Sequence, residues 1–181
     1  MAEIHDPKRK PKPGDGVVFN GYSIRIDGVR YPYKEQPLEK SPAEGIKVRP
    51  CTLEGNESTD VAFIEFEPGA RGPIERFTGD REIIDYYATG DGYFLAVDPE
   101  GKIYYTELGK TEGDGGTYIR YGKDWTIMWA VAKDGQGLYI IELCTPPWDS
   151  KDCKYLDPTD LSLPAGFKEF YDRIVSLNNT S

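Results

Sequence analysis

Residues 68–94 read PGARGPIERFTGDREIIDYYATGDGYF, and this stretch decides the architecture. It opens on Pro68-Gly69, where the alternating run VAFIEFEPGA of residues 61–70 breaks, and closes on Gly90-Asp91-Gly92, a turn between two apolar and aromatic runs. Further out the rhythm repeats. KIYYTEL (102–108) follows a Pro-Glu-Gly-Lys turn, then come GTYIRYG (116–122), WTIMWAVA (125–132) and, past a Lys-Asp-Gly-Gln-Gly turn, LYIIELCTPPW (138–148). Short strands at this spacing, joined by Gly-rich turns and without any βαβ alternation, predict an antiparallel sandwich or barrel.

Upstream, VVFNGYSIRIDGVRYPY (17–33) alternates around a central Asp-Gly and predicts a hairpin. Residues 34–60 are rich in Pro, Glu, Lys and Ser and read as a connection wrapping the surface, with one short strand in GIKVRPCTL (45–53). Only the C-terminus reads as helix. In PAGFKEFYDRIVSL (164–177), Phe167, Phe170, Tyr171, Ile174 and Leu177 recur at three and four, a stripe that would cover a sheet edge or join a dimer contact. The expected organisation is a flexible N-terminal arm at 1–16, a β-barrel at 17–156 and a helical extension at 157–181.

The 181 residues suit one domain. With 22 basic and 31 acidic residues the net charge is -9, which argues against nucleic acid and anionic membrane surfaces as partners. The one basic cluster, KRKPKP (8–13), sits in the Pro-rich arm, with a nuclear or nucleic-acid address as the alternative. No transmembrane run and no signal-peptide core is visible, so a reducing cytoplasm is the expected location. Cys51, Cys144 and Cys153 lack the pairing and spacing of a disulfide framework or a zinc cluster, and both glycosylation sequons, at Asn56 and Asn178, match a pattern common by chance. The Gly-Asp-Gly stretches at 90–92 and 113–116 lack the Lys-Ser/Thr and following helix of a phosphate loop.

The strand order and turn spacing over 61–150 resemble the cupin family, a β-barrel of jelly-roll type. Counted from Gly69, the first cupin motif, G-x5-H-x-H-x(3,4)-E-x6-G, puts Glu75 and Phe77 at the two His positions, Glu82 at the Glu position and Gly90, with one extra residue, at the closing Gly. The second, G-x5-P-x-G-x2-H-x3-N, falls on GGTYIRYGKDWTIMW (115–129) with its first spacer one residue short, Arg120 standing for Pro, Trp125 for His and Trp129 for Asn. The resemblance implies a cupin-like antiparallel jelly-roll β-barrel with an N-terminal arm or hairpin and one C-terminal helix, and a homodimer paired through N-terminal strands. It also implies what is missing. Of the four metal-ligand positions only Glu82 keeps a ligand type and Glu75 is a possible substitute, while the chain's single histidine is His5, in the arm. Two carboxylates alone favour only a weak hard-cation site, so no metal and no other cofactor is expected. The metal-free epimerases of this fold use a histidine base with a tyrosine acid, and that mechanism has no counterpart here.

Glu75 and Glu82 are the candidate bases, expected on neighbouring strands near the barrel mouth, where burial would raise a carboxyl toward neutrality. The competing reading pairs Glu82 with Arg81, Arg76 or Arg120. Tyr86 and Arg120 are candidates for stabilising developing negative charge. Arg120 shares a strand face with Tyr118, whereas Ile119 and Tyr121 share the other, and the apolar Ile119 argues that the second face is the buried one. Phe77, Tyr104, Trp125 and Trp129 would shape an aromatic pocket. The functional expectation is a metal-independent small-molecule enzyme of lyase, isomerase or cyclase type. The alternatives are a protein that binds a hydrophobic or sugar-like ligand without turnover, and a structural subunit whose barrel is filled solid.

Overall fold

Alternation of apolar and polar residues along nearly every segment from 46 to 145 leaves the chain one way to bury its apolar surface, as strands whose two faces differ. The computed structural model of the chain describes residues 18–19, 23–26, 29–37, 43–109 and 118–179. The arm at 1–16 with His5, the Asp27-Gly28 turn and the Gly-Asp-Gly-Gly stretch at 113–116 lie outside the described residues. The strands are β1 (Val18–Phe19), β2 (Ser23–Ile26), β3 (Val29–Glu35), β4 (Ile46–Leu53), β5 (Asn56–Phe66), β6 (Ile74–Phe77), β7 (Glu82–Gly90), β8 (Gly92–Val97), β9 (Ile103–Leu108), β10 (Tyr118–Gly122), β11 (Thr126–Ala130), β12 (Leu138–Thr145) and β13 (Cys153–Leu156), followed by helix α1 (Ala165–Asn179).

Two antiparallel sheets form the body. One has the order β1-β2-β3-β4-β5-β12-β7-β10 and the other β13-β6-β11-β8-β9. Their inner faces meet in a core that includes Phe66, Phe77, Phe94, Tyr121, Trp125 and Trp129, the jelly-roll arrangement of two sheets around one core. The outer face of the five-stranded sheet is closed by α1, whose Phe167 and Ile174 bury against Leu95, Val97 and Met128, while Phe170 stacks on Tyr105 at 4.9 Å. The helix thus covers a sheet face, not the edge expected from its stripe alone. Leu177, the last residue of that stripe, remains 37% exposed. No helix among the described residues is long and apolar enough to cross a membrane.

The turn read at the outset is the tightest point of the fold. Gly90 joins β7 to β8 at φ 100°, and a Cβ there would lie 1.9 Å from the Gly137 carbonyl oxygen. Both the left-handed backbone and the close approach exclude a side chain. Gly90→Ala is expected to lower stability by about 1–3 kcal/mol, measured by urea denaturation, and a neutral result would mean that the turn rearranges freely.

Candidate functional site

Cross-strand neighbours share a face, so the strand registers state which side chains point into the barrel. One row runs Pro50, Ala62, Glu142, Asp85 and Ile119 across β4, β5, β12, β7 and β10. In the opposite sheet Tyr155, Glu75 and Ile127 form a row across β13, β6 and β11. Three carboxyls from three strands and both sheets therefore face the same interior.

Asp85 is the best buried of them, 1% exposed. Its Oδ2 accepts hydrogen bonds from the Tyr121 hydroxyl at 2.8 Å and from Trp129 Nε1 at 2.9 Å. Its Oδ1 meets no N–H and no hydroxyl. The Glu142 carboxyl is a hydrogen-bonding neighbour of the Asp85 carboxyl, and it can donate only while it carries a proton. Burial pushes Asp85 up to about 7, against the opposing pull of the Tyr121, Trp129 and Glu142 hydrogen bonds. Glu142 is pushed well above the ordinary range by burial and by the charges of Asp85 and Glu75. Glu75 rises to about 7, from burial first and the Asp85 charge second. Three carboxyls this close cannot all ionise, so the cluster holds protons at neutral pH.

The interior is not filled evenly. Ile83, Phe94, Ile119 and Ile127 are essentially fully buried. On the side formed by β4, β5, β12, β6 and β13, the inward-facing Val48, Ala62, Ile64, Glu142, Glu75 and Cys153 are only half-buried. Space therefore remains between the sheets, and Glu75 and Glu142 open onto it while Asp85 sits behind them. Tyr155, in the same row as Glu75 on edge strand β13, is 63% exposed and marks where this space approaches solvent. A separate open groove of ≈ 670 Å³ lies at one end of the barrel, where Tyr121, Trp125, Glu82 and Arg120 contribute to its wall.

The structure places the expected residues unequally. Glu75, Phe77, Trp125 and Trp129 are inside. Tyr104 stacks on Trp125 at 5.4 Å, and its hydroxyl donates to Asp98 at 2.9 Å. Glu82, Tyr86 and Arg120 stand on the outer face of the eight-stranded sheet, which corrects Glu82 and Tyr86 as residues of the barrel interior and agrees, for Arg120, with the reading that the Ile119 face is the buried one. The reason is the period of two: Ile83 and Asp85 point inward, so 82, 84 and 86 point outward. Glu82 pairs with Arg120 Nε at 2.7 Å, one of the pairings open from sequence, and the Tyr86 ring lies tilted against Tyr118 at 5.7 Å. Nor do Glu75 and Glu82 sit on adjacent strands of one sheet, since β6 and β7 belong to different sheets.

Asp85 and Glu142 are the residues the sequence reading missed. A signal existed. In REIIDYY, Asp85 shares a face with Ile83, and in LYIIELCT, Glu142 shares one with Ile140 and Cys144, so each is an acid on an otherwise apolar strand face.

The residues at the cupin metal positions do not fit a metal. Phe77 and Trp125 offer no lone pair suited to coordination, Glu82 lies outside the barrel in an ion pair, and the described residues contain no group of three His, Cys, Asp or Glu placed to hold an ion.

No family model matches the sequence, and no curated protein matches it. Solved structures do. A cupin-2 domain protein from Rhodospirillum rubrum superimposes with TM-score 0.56 at 11% identity, over 78% of this chain and 88% of that one. Protein SO0799 from Shewanella oneidensis gives 0.53 at 14%, over 80% and 85%. Oxalate decarboxylase from Bacillus subtilis gives 0.54 at 14%, over 76% of this chain but 37% of the enzyme, so this chain spans little more than a third of it. At these identities the likeness concerns the fold, and the two-sheet topology agrees with it: the protein has the cupin fold, a jelly-roll barrel.

Proposed function

We propose that the protein is a metal-independent enzyme that moves protons on a small organic molecule held between its two sheets, a lyase, isomerase or cyclase. The observation that supports this is the pairing of Glu75 and Glu142, which reach the interior space, with Asp85, which does not. The Asp85 carboxyl accepts a hydrogen bond from the protonated Glu142 carboxyl and acts as a positioning residue. Near neutral pH the cluster contains both a protonated carboxyl and a carboxylate, the two forms that acid–base catalysis requires. In an elimination the carboxylate takes a proton from carbon while the carboxylic acid gives its own to the departing hydroxyl, which leaves as water. In an isomerisation one carboxyl removes a proton at one carbon and returns it at another.

The test has two parts. Infrared difference spectra at neutral pH should show a protonated-carboxyl band that disappears in Glu142→Gln, and its absence from the wild type removes the acid half of the mechanism. Deuterium incorporation from D2O into a panel of hydroxy and carbonyl compounds should fall at least tenfold in Glu142→Gln and Glu75→Gln. Exchange that survives both substitutions rejects the assignment. The Tyr104–Trp125 stack beside the groove favours the second reading, a ligand-binding protein without turnover, in which no carboxyl substitution changes chemistry and Trp125→Ala loses affinity.

A further inference from the structure

Among the described residues, no Lys or Arg charge acts on Glu75, Asp85 or Glu142. Arg81 is the buried guanidinium nearest to the cluster, and it is committed elsewhere: Nη2 bonds Asp152, and Nη1 donates to the Pro147 carbonyl at 3.1 Å and to Cys144 Sγ at 3.4 Å. The other titratable groups around the cluster are Asp60 on β5, Tyr121 on β10, Cys144 on β12 and Cys153 and Tyr155 on β13, and none of these is a base that is positive at neutral pH. Uncompensated acids in a low-dielectric interior are costly unless protons or a bound cation neutralise them. Two further features point to a ligand in place of permanent protonation. Asp85 Oδ1 is a fully buried acceptor without an N–H or hydroxyl donor, and the half-buried inner residues leave space in front of Glu75 and Glu142.

We propose that this space binds the ammonium group of an organic amine. A primary ammonium carries N–H donors and one positive charge; Glu75 and Glu142 offer it acceptors at the space, and Asp85 stands behind them as a further acidic group. Aliphatic surface from Val48, Ala62 and Ile64, on the same sheet as Glu142, accommodates the carbon skeleton. An anionic or strongly acidic ligand is excluded by the same charges. Arrival of the cation draws off the protons that the carboxyls share, so binding releases protons to solvent and leaves the cluster in its basic form. The inference rests on the functional reading in naming a ligand for the same interior, and it adds how that ligand generates the base.

The experiment titrates the full chain with n-butylammonium, and separately with 1-butanol and butyrate, following amide chemical shifts by NMR at several pH values between about 6 and 8. The expected result is that butylammonium shifts amides of β6, β7 and β12, while the alcohol binds at least tenfold more weakly and butyrate does not bind. Affinity should rise with pH, by on the order of tenfold per pH unit for each proton released. Glu142→Gln, which removes the exchangeable proton without adding bulk, should flatten that dependence. Equal binding of butanol, binding by butyrate, affinity independent of pH, or no shifts with butylammonium each overturns the proposal. The two readings fail separately. Deuterium exchange on neutral compounds without amine binding keeps the enzyme and rejects the amine, and pH-linked amine binding without any exchange does the reverse.

Discussion

Thermal stability is expected to fall as the pH is raised from about 5 to about 8, and Asp85→Asn is expected to reduce that fall, leaving the part carried by Glu75 and Glu142. Unfolded, Asp85 ionises near its ordinary value of 3.8, whereas in the fold it keeps its proton up to about 7. Between those values the folded state binds more protons than the unfolded state, so stability declines with rising pH and the loss is complete above about 7. A shift of about three units corresponds to roughly 4 kcal/mol as an upper bound for this one group, a large fraction of the 5–15 kcal/mol typical of a domain. Glu75 acts in the same direction, its ordinary 4.5 raised to about 7. Asp157 and Asp160, exposed acids lowered by hydrogen bonds from Thr159 and Ser162, act in the opposite direction at lower pH. Asparagine at position 85 keeps an oxygen for Tyr121 and Trp129, and its amide can donate to Glu142. The variant should therefore melt higher than the wild type at pH 8 while the two converge only below about pH 4. Calorimetric melts across the range check this. An unchanged slope in Asp85→Asn would mean that the cluster ionises freely.

What was legible in the sequence follows from which physical signals are local. Strand alternation, the Pro68-Gly69 and Gly90-Asp91-Gly92 breaks and the amphipathic stripe of α1 are local, and the jelly-roll body and helix follow from them. The inward face of β10 was legible for the same reason, because Ile119 and Tyr121 alternate with Tyr118 and Arg120. The site was legible only at Glu75, Phe77, Trp125 and Trp129, which a motif register placed inside. Glu82 failed because that register assigned a position without asking which face it occupies, whereas the outward face of Arg120 was already implied by the apolar Ile119. Asp85 and Glu142 failed differently: their meaning depends on β7 lying between β12 and β10, with β6 across the barrel, and no spacing within the chain encodes that meeting. The role of Trp129 shows both sides. Its burial was readable from its aromatic run, but its indole N–H bond to Asp85 required the aspartate to be recognised first.

Asp152→Ala should destabilise the protein by about 3 kcal/mol, the low end of the 3–5 kcal/mol found when one partner of a buried ion pair is removed. The low end is expected because the two partners differ. The Arg81 side chain is 3% exposed, whereas that of Asp152 is 37% exposed, so water can partly replace the lost carboxylate. Arg81 would remain a buried guanidinium above the Trp148 ring, at 5.4 Å, with one carbonyl and one thiol as its remaining acceptors and an Nε that has no partner among the described residues. The backbone has been shaped around this pair: a Cβ on Gly79 would lie 2.3 Å from Asp152 Cγ, and the amide of Thr78 donates to the Asp152 carbonyl at 2.8 Å. Loosening this joint also loosens β13, which carries Cys153 and Tyr155 beside Glu75, so amide exchange at Thr78 and along β13 should accelerate before the rest of the sheet responds. Arg81→Met combined with Asp152→Ala removes both charges and should recover much of the loss, because an apolar side chain in place of a buried pair is often neutral. A urea-denaturation cycle over the two single variants and the double variant measures the coupling. A cost below about 1 kcal/mol for Asp152→Ala, the range of an exposed ion pair, would mean that Arg81 is solvated and that β13 is held by its ladder with β6 alone.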